Sequence, residues 1–502
     1  MIRTLTCSSA LSLVFLASAA TADVTPQEVW ASWQAMMTSA GQEMTVGNTA
    51  DTGSAVEVTD MVVSYKDQLG GAATVNFDKL TFTDNGDGTV SVAMPESYPI
   101  AMTFPNKAEG PGSMKLTVSQ PGAKIVAGGS ATETSYDISA PSTTVKLDEV
   151  TDETGKTLDT QADLVLTDLA AKYSVAKNGE GMVLDSSFTS KSMVLKIAGK
   201  DDEGGGTGTV DVSFADVSGA TKGNFLSAEL MANMAAALNS GFTMDTSLNF
   251  GAMTMNLDIT EATGPTKMVA NATGGGFVLA MNKDRLNYGS SLNGAKFSIS
   301  GAEIPFPQVD VAFAESGFNV AMPVSKSDEA QDFSFLTKVV DFTVSEDVWG
   351  LFDPAGTLSR EPATMIVDLK GKGFWKQDIM DPSLQMEGAQ PPGQLDSLDL
   401  TQVLAKAAGA EVSATGALAF DNTDLQTFGG VPRPDGKVTV KIKGVTKLVD
   451  NLIALGIIGE DEAMGFRMGL AMVAKPGAGP DELVSEIEFK EGGLFANGMR
   501  MQ

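Results

Sequence analysis

Carboxyl groups are the abundant side chains of this sequence that can do acid–base chemistry. The chain has 63 Asp and Glu residues, no histidine, and one cysteine, Cys7. Zinc sites and Ser–His or Cys–His nucleophiles need imidazole or thiolate groups, so the composition excludes them beyond Cys7. Two carboxyl groups in different protonation states can still hydrolyse a glycosidic bond. Because only 4 Trp and 5 Tyr are available to stack sugar rings, a carboxylate-dependent glycan hydrolase is a minor alternative. We expect no catalytic residues and no enzyme.

Three loops have compositions that resemble ligand-binding loops. Asp84-Asn85-Gly86-Asp87-Gly88 offers the oxygen ligands that calcium prefers, but it lacks the alternating acids and distant Glu of an EF-hand. A glycine-bearing hairpin loop is therefore favoured there. The glycine runs at 204–208 and 274–276 lack the lysine and the following helix of a phosphate loop. We expect neither a metal nor a cofactor.

Apolar side chains on three expected helices are the candidate ligand-binding residues. In the helix expected at 460–474, three methionines share one side, and Phe466, Leu470 and Val473 lie along another. Such a helix is either sandwiched between layers, which is favoured, or offers one side to an apolar ligand. Methionine adapts well to irregular apolar sites. The candidates for an apolar ligand are Leu452, Leu455, Met464, Met468, Met472, Trp30 and Trp33.

The first 22 residues have the order of a cleaved export signal. Arg3 precedes an apolar stretch at 10–19, and Ala20-Thr21-Ala22 precedes Asp23. We therefore expect a periplasmic protein. Its net charge of −29 opposes binding to nucleic acid. No later apolar run reaches the 18 or so residues that span a bilayer, so we expect no integral membrane segment after processing.

Most of the chain alternates apolar and polar residues with a period of two. Examples are Val90-Val92-Met94, Met193-Leu195-Ile197, Val210-Val212-Phe214, Phe277-Leu279-Met281 and Val438-Val440-Ile442. Such alternation predicts antiparallel strands with one dry face and one wet face. The phase of the alternation slips at Gly251-Ala252, which predicts a β-bulge.

Helical patterns interrupt these strands. A capping box at 25–28 predicts an N-terminal helix, and a second helix is expected to begin at Ser227. Residues 343–346 offer a helix cap within the apolar region 328–352. Two further helices are expected at 445–455 and 460–474. The fold class is mainly β (β-rich α+β), with large curved antiparallel sheets and five or six short helices packed on or closing them.

The Pro-, Gly- and Gln-rich stretch at 385–393 is the best candidate for a domain boundary. We therefore expect a cleaved signal peptide at 1–22 and an N-terminal helix plus a large antiparallel β region with inserted helices at 23–390. A C-terminal β-helix-helix-β module follows at 391–502.

Five segments spread over the chain carry a family resemblance. They read DVTPQEVW at 23–30, FTDNGDGT at 82–89, SGAEIPFP at 300–307, DFTVS at 341–345 and GGLFANG at 492–498. Together they resemble the exported Gram-negative envelope family "domain of unknown function 2125", which implies an unassigned activity and no catalytic residues. The C-terminal ending also resembles modules of envelope β proteins that handle lipids, which implies an apolar ligand.

Two hypotheses for the function follow from these features. The first is a periplasmic protein that binds a lipid or acyl chain, without catalysis, in a groove formed by sheet and helices. The alternative is a structural or adaptor protein that binds another envelope protein through sheet edges or loops.

Overall fold

The structure, a computed structural model, describes residues 23–39, 41–67, 70–104, 112–130, 132–152, 154–179, 181–201, 204–384 and 392–502. The expected signal peptide lies outside these residues. Strands account for 63% of the chain and helices for 11%, which confirms the expectation of a mainly β protein. Within the described ranges, no helix is both long and apolar enough to cross a membrane.

Six helices lie in the described part of the chain, within the expected five or six. They are α1 (Pro26–Ser39), α2 (Ala228–Met231), α3 (Met234–Asn239), α4 (Glu346–Trp349), α5 (Val445–Ala454) and α6 (Glu460–Val473). The capping box of α1 forms as expected: Thr25 N donates to Glu28 Oε2 at 2.9 Å, and Glu28 N donates to Thr25 Oγ1 at 3.2 Å.

The strands run from the end of α1 to the C-terminus. In chain order they are β1 (Glu43–Thr45), β2 (Asn48–Asp51), β3 (Ala55–Lys66), β4 (Ala72–Asp84), β5 (Val90–Ala93), β6 (Ser97–Phe104), β7 (Gly112–Ser119), β8 (Lys124–Gly129), β9 (Glu133–Thr151), β10 (Asp159–Asn178), β11 (Gly181–Lys200), β12 (Thr207–Phe225), β13 (Thr243–Phe250), β14 (Met253–Glu261), β15 (Gly264–Ala272), β16 (Gly274–Met281), β17 (Leu286–Gly301), β18 (Val309–Met322), β19 (Gln331–Val344), β20 (Ala363–Trp375), β21 (Gly393–Ala407), β22 (Ala410–Asp421), β23 (Arg433–Lys443), β24 (Lys475–Pro476), β25 (Glu482–Lys490), β26 (Gly493–Ala496) and β27 (Met499–Arg500).

All of these strands belong to one antiparallel sheet of 27 strands. From β17 onwards most strands pair with the next one along the chain, whereas β12 pairs with both β13 and β14. The expected boundary near 390 falls outside the described residues. The strands on either side of it, β20 and β21, pair with each other, from Thr364 with Lys406 to Trp375 with Gly393. Roughly twenty strand-to-strand steps of about 4.8 Å give a sheet on the order of 90 Å long.

A line of interruptions in strand pairing crosses the sheet, and we call it the crease. Asp60, Asp168, Asp216, Gly294 and Asp341 have φ values of +52°, +50°, +51°, +57° and +55°, and strand pairing is interrupted at each of them. Glycine and aspartate adopt this left-handed backbone most readily. The phase slip at Gly251-Ala252 lies on the same line, because Gly251 N donates to Ala215 O, next to Asp216.

The crease also changes which positions of a strand are shielded. In β12, Val210 and Val212 are half-buried before Asp216, and Val217 is buried after it. The shielded positions therefore pass from even to odd numbers across Asp216, where the pairing of β12 with β11 is interrupted without a change of register.

Two fully buried clusters lie against short helices. In the first, α1 packs on β3, β4 and β5, with Val29, Met61 and Phe82 at its centre. In the second, α3 packs on the ends of neighbouring strands through Leu238 and Phe242. Both expected helices therefore cover part of the sheet.

Much of the remaining sheet surface is open. The chain exposes 28788 Å², whereas a compact monomer of 52.1 kDa would expose about 17,500 Å². Even counted as fully extended, the residues outside the described ranges would account for only about 7,000 Å². A single sheet with few covering helices explains the excess.

Candidate functional site

The N-terminal tryptophans lie in the first buried cluster. Trp30 is only 7% exposed, and its ring lies 5.6 Å from the ring of Phe82. Trp33 packs edge-on against the same ring at 5.3 Å. The structure thus places Trp30 and Trp33 in a packed interior that their own neighbours fill.

The methionines of α6 lie on its solvent side. Met464, Met468 and Met472 are 57%, 64% and 62% exposed, whereas Ala463 is buried on the opposite side of the helix. Leu452 of α5 and Leu455 after it are half-buried. The structure therefore does not bring the seven sequence candidates together: the tryptophans, the α5 leucines and the α6 methionines occupy three separate environments.

Directly paired apolar residues form continuous rows across the sheet. The long apolar row consists of Val118, Val145, Leu164, Leu195, Val212, Met255, Ala270, Phe297, Val311 and Val344. The C-terminal apolar row consists of Leu279, Tyr288, Val320, Phe335, Leu369, Leu400, Gly416, Val438, Ile487 and Ala496. Most of these side chains are only half-buried, so the rows are available for contact with something else.

A cavity of about 460 Å³ borders the C-terminal apolar row at Val320 and Phe335, and we call it the aromatic cavity. Its volume is within the usual range of ligand pockets. Aliphatic and aromatic side chains make up most of its wall: Val320, Met322, Phe333, Phe335, Phe374, Trp375, Leu395 and Leu425. The arrangement suits a flexible apolar molecule better than a polar substrate.

Glycines make room for the rings of this cavity. A Cβ on Gly371 would lie 2.5 Å from Cζ of Phe333, and one on Gly393 would lie 2.8 Å from Cε3 of Trp375. The glycines therefore let both rings lie across the neighbouring strand. The indole is also fixed at its polar end, because Trp375 Nε1 donates to Pro323 O at 2.6 Å.

The connection from β22 to β23 supplies another wall of the aromatic cavity through Leu425 and Pro432. Charges anchor this loop at its ends. Arg433 Nη2 lies 2.7 Å from Asp421 Oδ2, and its Nε lies 3.3 Å from Asp424 Oδ2. The hydroxyl of Thr423, followed by Arg433, lowers the pKa of Asp421 to about 2. The anchor is thus ionised at any ordinary pH.

A second cavity, also about 460 Å³, lies on the same strands at their other end, and we call it the helix cavity. Its wall is almost entirely apolar and includes Val339, Met365 and Ala405 of the sheet together with Val445 and Leu448 of α5. The helix expected at 445–455 therefore borders this cavity.

A buried ion pair supports the loop beside α5. The Asp353 side chain is fully buried and lies 2.6 Å from Nη1 of Arg360. Burial raises the pKa of Asp353, but backbone N–H groups of Leu358 and Thr357 and the Arg360 guanidinium outweigh it, so the pKa is lowered. Asn451 of α5 donates to Thr357 O at 3.2 Å, which ties the helix to this loop.

In the part of the chain that the structure describes, the carboxyl groups with a shifted pKa all shift in the same direction. The pKa is lowered at Asp87, Asp152, Asp353, Asp381, Asp421 and Asp424. A glycosidase acid needs a shift in the opposite direction. Among the described residues, no group of three or more acidic side chains is placed to hold a metal ion.

The loop that resembled a calcium site uses its oxygens internally. Asp84 Oδ1 accepts from Gly86 N at 2.8 Å, and Asp87 Oδ1 accepts from the Thr89 hydroxyl at 2.6 Å. Gly86 and Gly88 adopt positive φ, as a tight hairpin connection requires.

Reasoning from sequence missed the residues of both cavities. Phe333 and Phe335 lie in the apolar region 328–352, Leu395 lies in the first β segment of the expected C-terminal module, and nothing in their spacing distinguishes them. One local signal was present: Gly371 and Gly373 interrupt a strand pattern, which often marks a close approach of another group.

Comparisons with known proteins identify a family. The profile of DUF2125, described as an uncharacterized protein conserved in bacteria, matches residues 247–501. No curated protein and no solved structure matches the chain. The matched region includes the C-terminal apolar row, both cavities, α5 and α6.

Proposed function

The chain belongs to the bacterial family DUF2125, and we propose that it is a non-enzymatic periplasmic protein that binds acyl chains on its exposed sheet surface. The expected export signal and the absence of histidine agree with this role. The observation that carries the proposal is the pair of apolar cavities at the two ends of β19, β20 and β21.

The distance between the cavities fits one acyl chain. Phe335 lines the aromatic cavity and Val339 lines the helix cavity. These residues are four positions apart on the same strand, which is about 13 Å. A single leaflet of a bilayer has a hydrocarbon thickness of about 15 Å. An extended acyl chain that runs along β19 and β20 would therefore reach from one cavity to the other past Thr337 and Val367.

The expected affinity is moderate. Burying about twelve methylenes gains roughly 10 kcal/mol at about 0.8 kcal/mol each. Association and ordering of the chain cost about 4 kcal/mol or more. The surplus corresponds to a dissociation constant of tens of micromolar, which suits a carrier that must also release its ligand.

Curvature of the sheet is part of the proposal. The interruptions of strand pairing at Asp60, Asp168, Asp216, Gly294 and Asp341 follow one line, and strands bend most easily where their ladder is disrupted. A sheet folded along the crease would shelter both apolar rows from water on its concave side. This accounts for their half-buried state without a second layer.

Uptake of a fluorescent fatty acid by the purified chain tests the proposal. Phe335→Glu puts a charge in the aromatic cavity and should reduce uptake at least ten-fold. Leu336→Glu is the matched control, because the neighbouring residue points to the other face of β19, and it should retain most uptake. Melting curves of both variants establish that they fold. Absence of uptake by the unaltered chain, with no lipid in native mass spectra, would refute the proposal.

The exposed side of α6 favours a second candidate function. Met464, Met468 and Met472 form an apolar stripe in contact with solvent, and such stripes often mark interfaces. An adaptor would use it to dock another envelope protein. Photo-crosslinking from position 468 in intact cells distinguishes the two functions: an adaptor gives one dominant protein adduct, whereas a lipid carrier gives none.

A further inference from the structure

The wall of the aromatic cavity carries an unusual charge for this protein. Of the residues that the structure describes, one cationic residue, Lys376, lines it and no Asp or Glu does, although the chain has 63 acidic residues against 34 basic ones. A cation on a wall whose described residues include no acidic side chain favours negative or neutral ligands, because the local field decides which charge can approach.

Lys376 is held at the end of β20, directly after Trp375. Its backbone N donates to Pro392 O at 2.8 Å, which fixes the residue beside the cavity wall, while its side chain is exposed. Among the described residues, no carboxylate lies within ion-pair distance of its ammonium group, in contrast to Lys372 on the same strand, which pairs with Asp332 at 3.6 Å.

The two amide side chains of the wall are already engaged. Asn422 Nδ2 donates to Leu395 O at 2.8 Å and to Asp396 Oδ1 at 3.1 Å. Gln394 Nε2 donates to the same carboxylate oxygen at 3.0 Å. The nearby Asp396 is thus occupied by two amides, and Lys376 is the cationic donor left for a ligand.

We propose that Lys376 binds the anionic head of a single-chain amphiphile whose tail lies in the aromatic cavity. This inference rests on the proposed acyl-chain binding and adds the substrate class: a carboxylate or a phosphate head. An ammonium group is a good point-charge partner for either anion. A double-chain lipid would need a second apolar channel beside Trp375.

Three probes of equal chain length separate the head from the tail. Dodecanoate, dodecyl phosphate and dodecanol are titrated into the purified chain against a bound fluorescent fatty acid. The variant Lys376→Gln should weaken the binding of dodecanoate, of dodecyl phosphate or of both about five-fold, as expected for the loss of an exposed ion pair. It should leave the binding of dodecanol unchanged. Lys376→Arg should restore the affinity.

A matched control lies on the same strand. Lys370→Gln makes the same change of charge on β20 outside the cavity lining, and it should alter none of the three affinities. If Lys376→Gln loses more affinity for dodecyl phosphate than for dodecanoate, the natural ligand has a phosphate head. The reverse identifies a fatty acid.

The two proposals fail in different ways. Equal binding of all three probes, unaffected by Lys376→Gln, overturns the role of Lys376 and leaves acyl-chain binding intact. An equal loss for dodecanol also overturns it, because the lysine then acts through packing. If no probe binds the unaltered chain, the acyl-chain function fails and the head-group site fails with it.

Discussion

At the scale of residues, small side chains decide where this sheet can accept a ligand. Gly371 and Gly393 leave room for the rings of Phe333 and Trp375, whose edges form the aromatic cavity. A larger residue at either position would push a ring out of place, since side chains and backbone surround it closely. The cavity therefore depends on glycine for space rather than for a special backbone conformation.

Gly371→Ala tests this dependence. The added Cβ would lie 2.3 Å from Ser397 O and 2.5 Å from Cζ of Phe333, so we expect a loss of about 1–3 kcal/mol in the free energy of unfolding and weaker fatty-acid uptake. Gly465→Ala is the control, because a Cβ there has no atom within 4 Å. In helix α6 it should gain up to about 1 kcal/mol. Urea unfolding of both variants measures the difference, and equal stabilities would contradict the packing argument.

At the scale of elements, two groups of ion-paired residues hold the segments that border the cavities, and we call them the Asp421 corner and the Asp353 corner. Asp421, Asp424 and Arg433 close the loop that contributes Leu425 to the aromatic cavity. Asp353 and Arg360 hold the loop to which α5 is tied. Neither corner touches the proposed ligand, so both should act on binding only through the position of the elements they hold.

The Asp421 corner predicts a dependence on pH. Its pKa is lowered from 3.8 to about 2, so its contribution to stability is complete above the unfolded pKa and is lost as the pH falls through the folded pKa. The thermal midpoint of the chain should exceed that of Asp421→Asn at pH 5, and the gap should close as the pH approaches 2. A gap that stays constant over this range would show that Asp421 is not ionically anchored.

The Asp353 corner should matter more for folding. Removing one partner of a buried ion pair leaves an uncompensated charge. Arg360→Met should therefore lower the thermal midpoint by several degrees and expose α5 to limited proteolysis, whereas Lys372→Met, which breaks an exposed pair with Asp332, should change the midpoint little. Equal effects of the two substitutions would argue against a structural role for the buried pair.

At the scale of the whole molecule, one sheet with little cover sets the shape. Its 27 strands form a single hydrogen-bonded sheet. The two buried clusters occupy only the regions under α1 and α3. Stability must then come from strand pairing and from the half-buried rows as much as from a central core. This leaves an apolar surface that a compact protein of the same size would have hidden.

Solution scattering checks this architecture. A compact chain of 502 residues has a radius of gyration of about 23 Å, whereas a sheet on the order of 90 Å long should give a clearly larger value. A measured radius at or below 23 Å would mean that the sheet collapses on itself and closes the apolar rows.

The sequence by itself determined the local elements and the excluded chemistry. Period-two alternation predicted the strands, the capping box predicted α1, and the helices expected at 445–455 and 460–474 match α5 and α6. The expected cap at 343–346 is an exception: most of that apolar region forms β19, and only Glu346–Trp349 is helical. Pairing with β18 and β20 outweighs local helical preference there, as tertiary contacts often do.

Only the tertiary structure decided which apolar residues meet. Val320, Phe335, Leu369 and Leu400 come from four strands spread over eighty residues, and their alignment depends on the register of each pairing. A slip of one residue would send each side chain to the other face, and no local pattern encodes that register. For the same reason the sequence could list Trp30 and Met468 as apolar, but not that one fills the core and the other faces solvent.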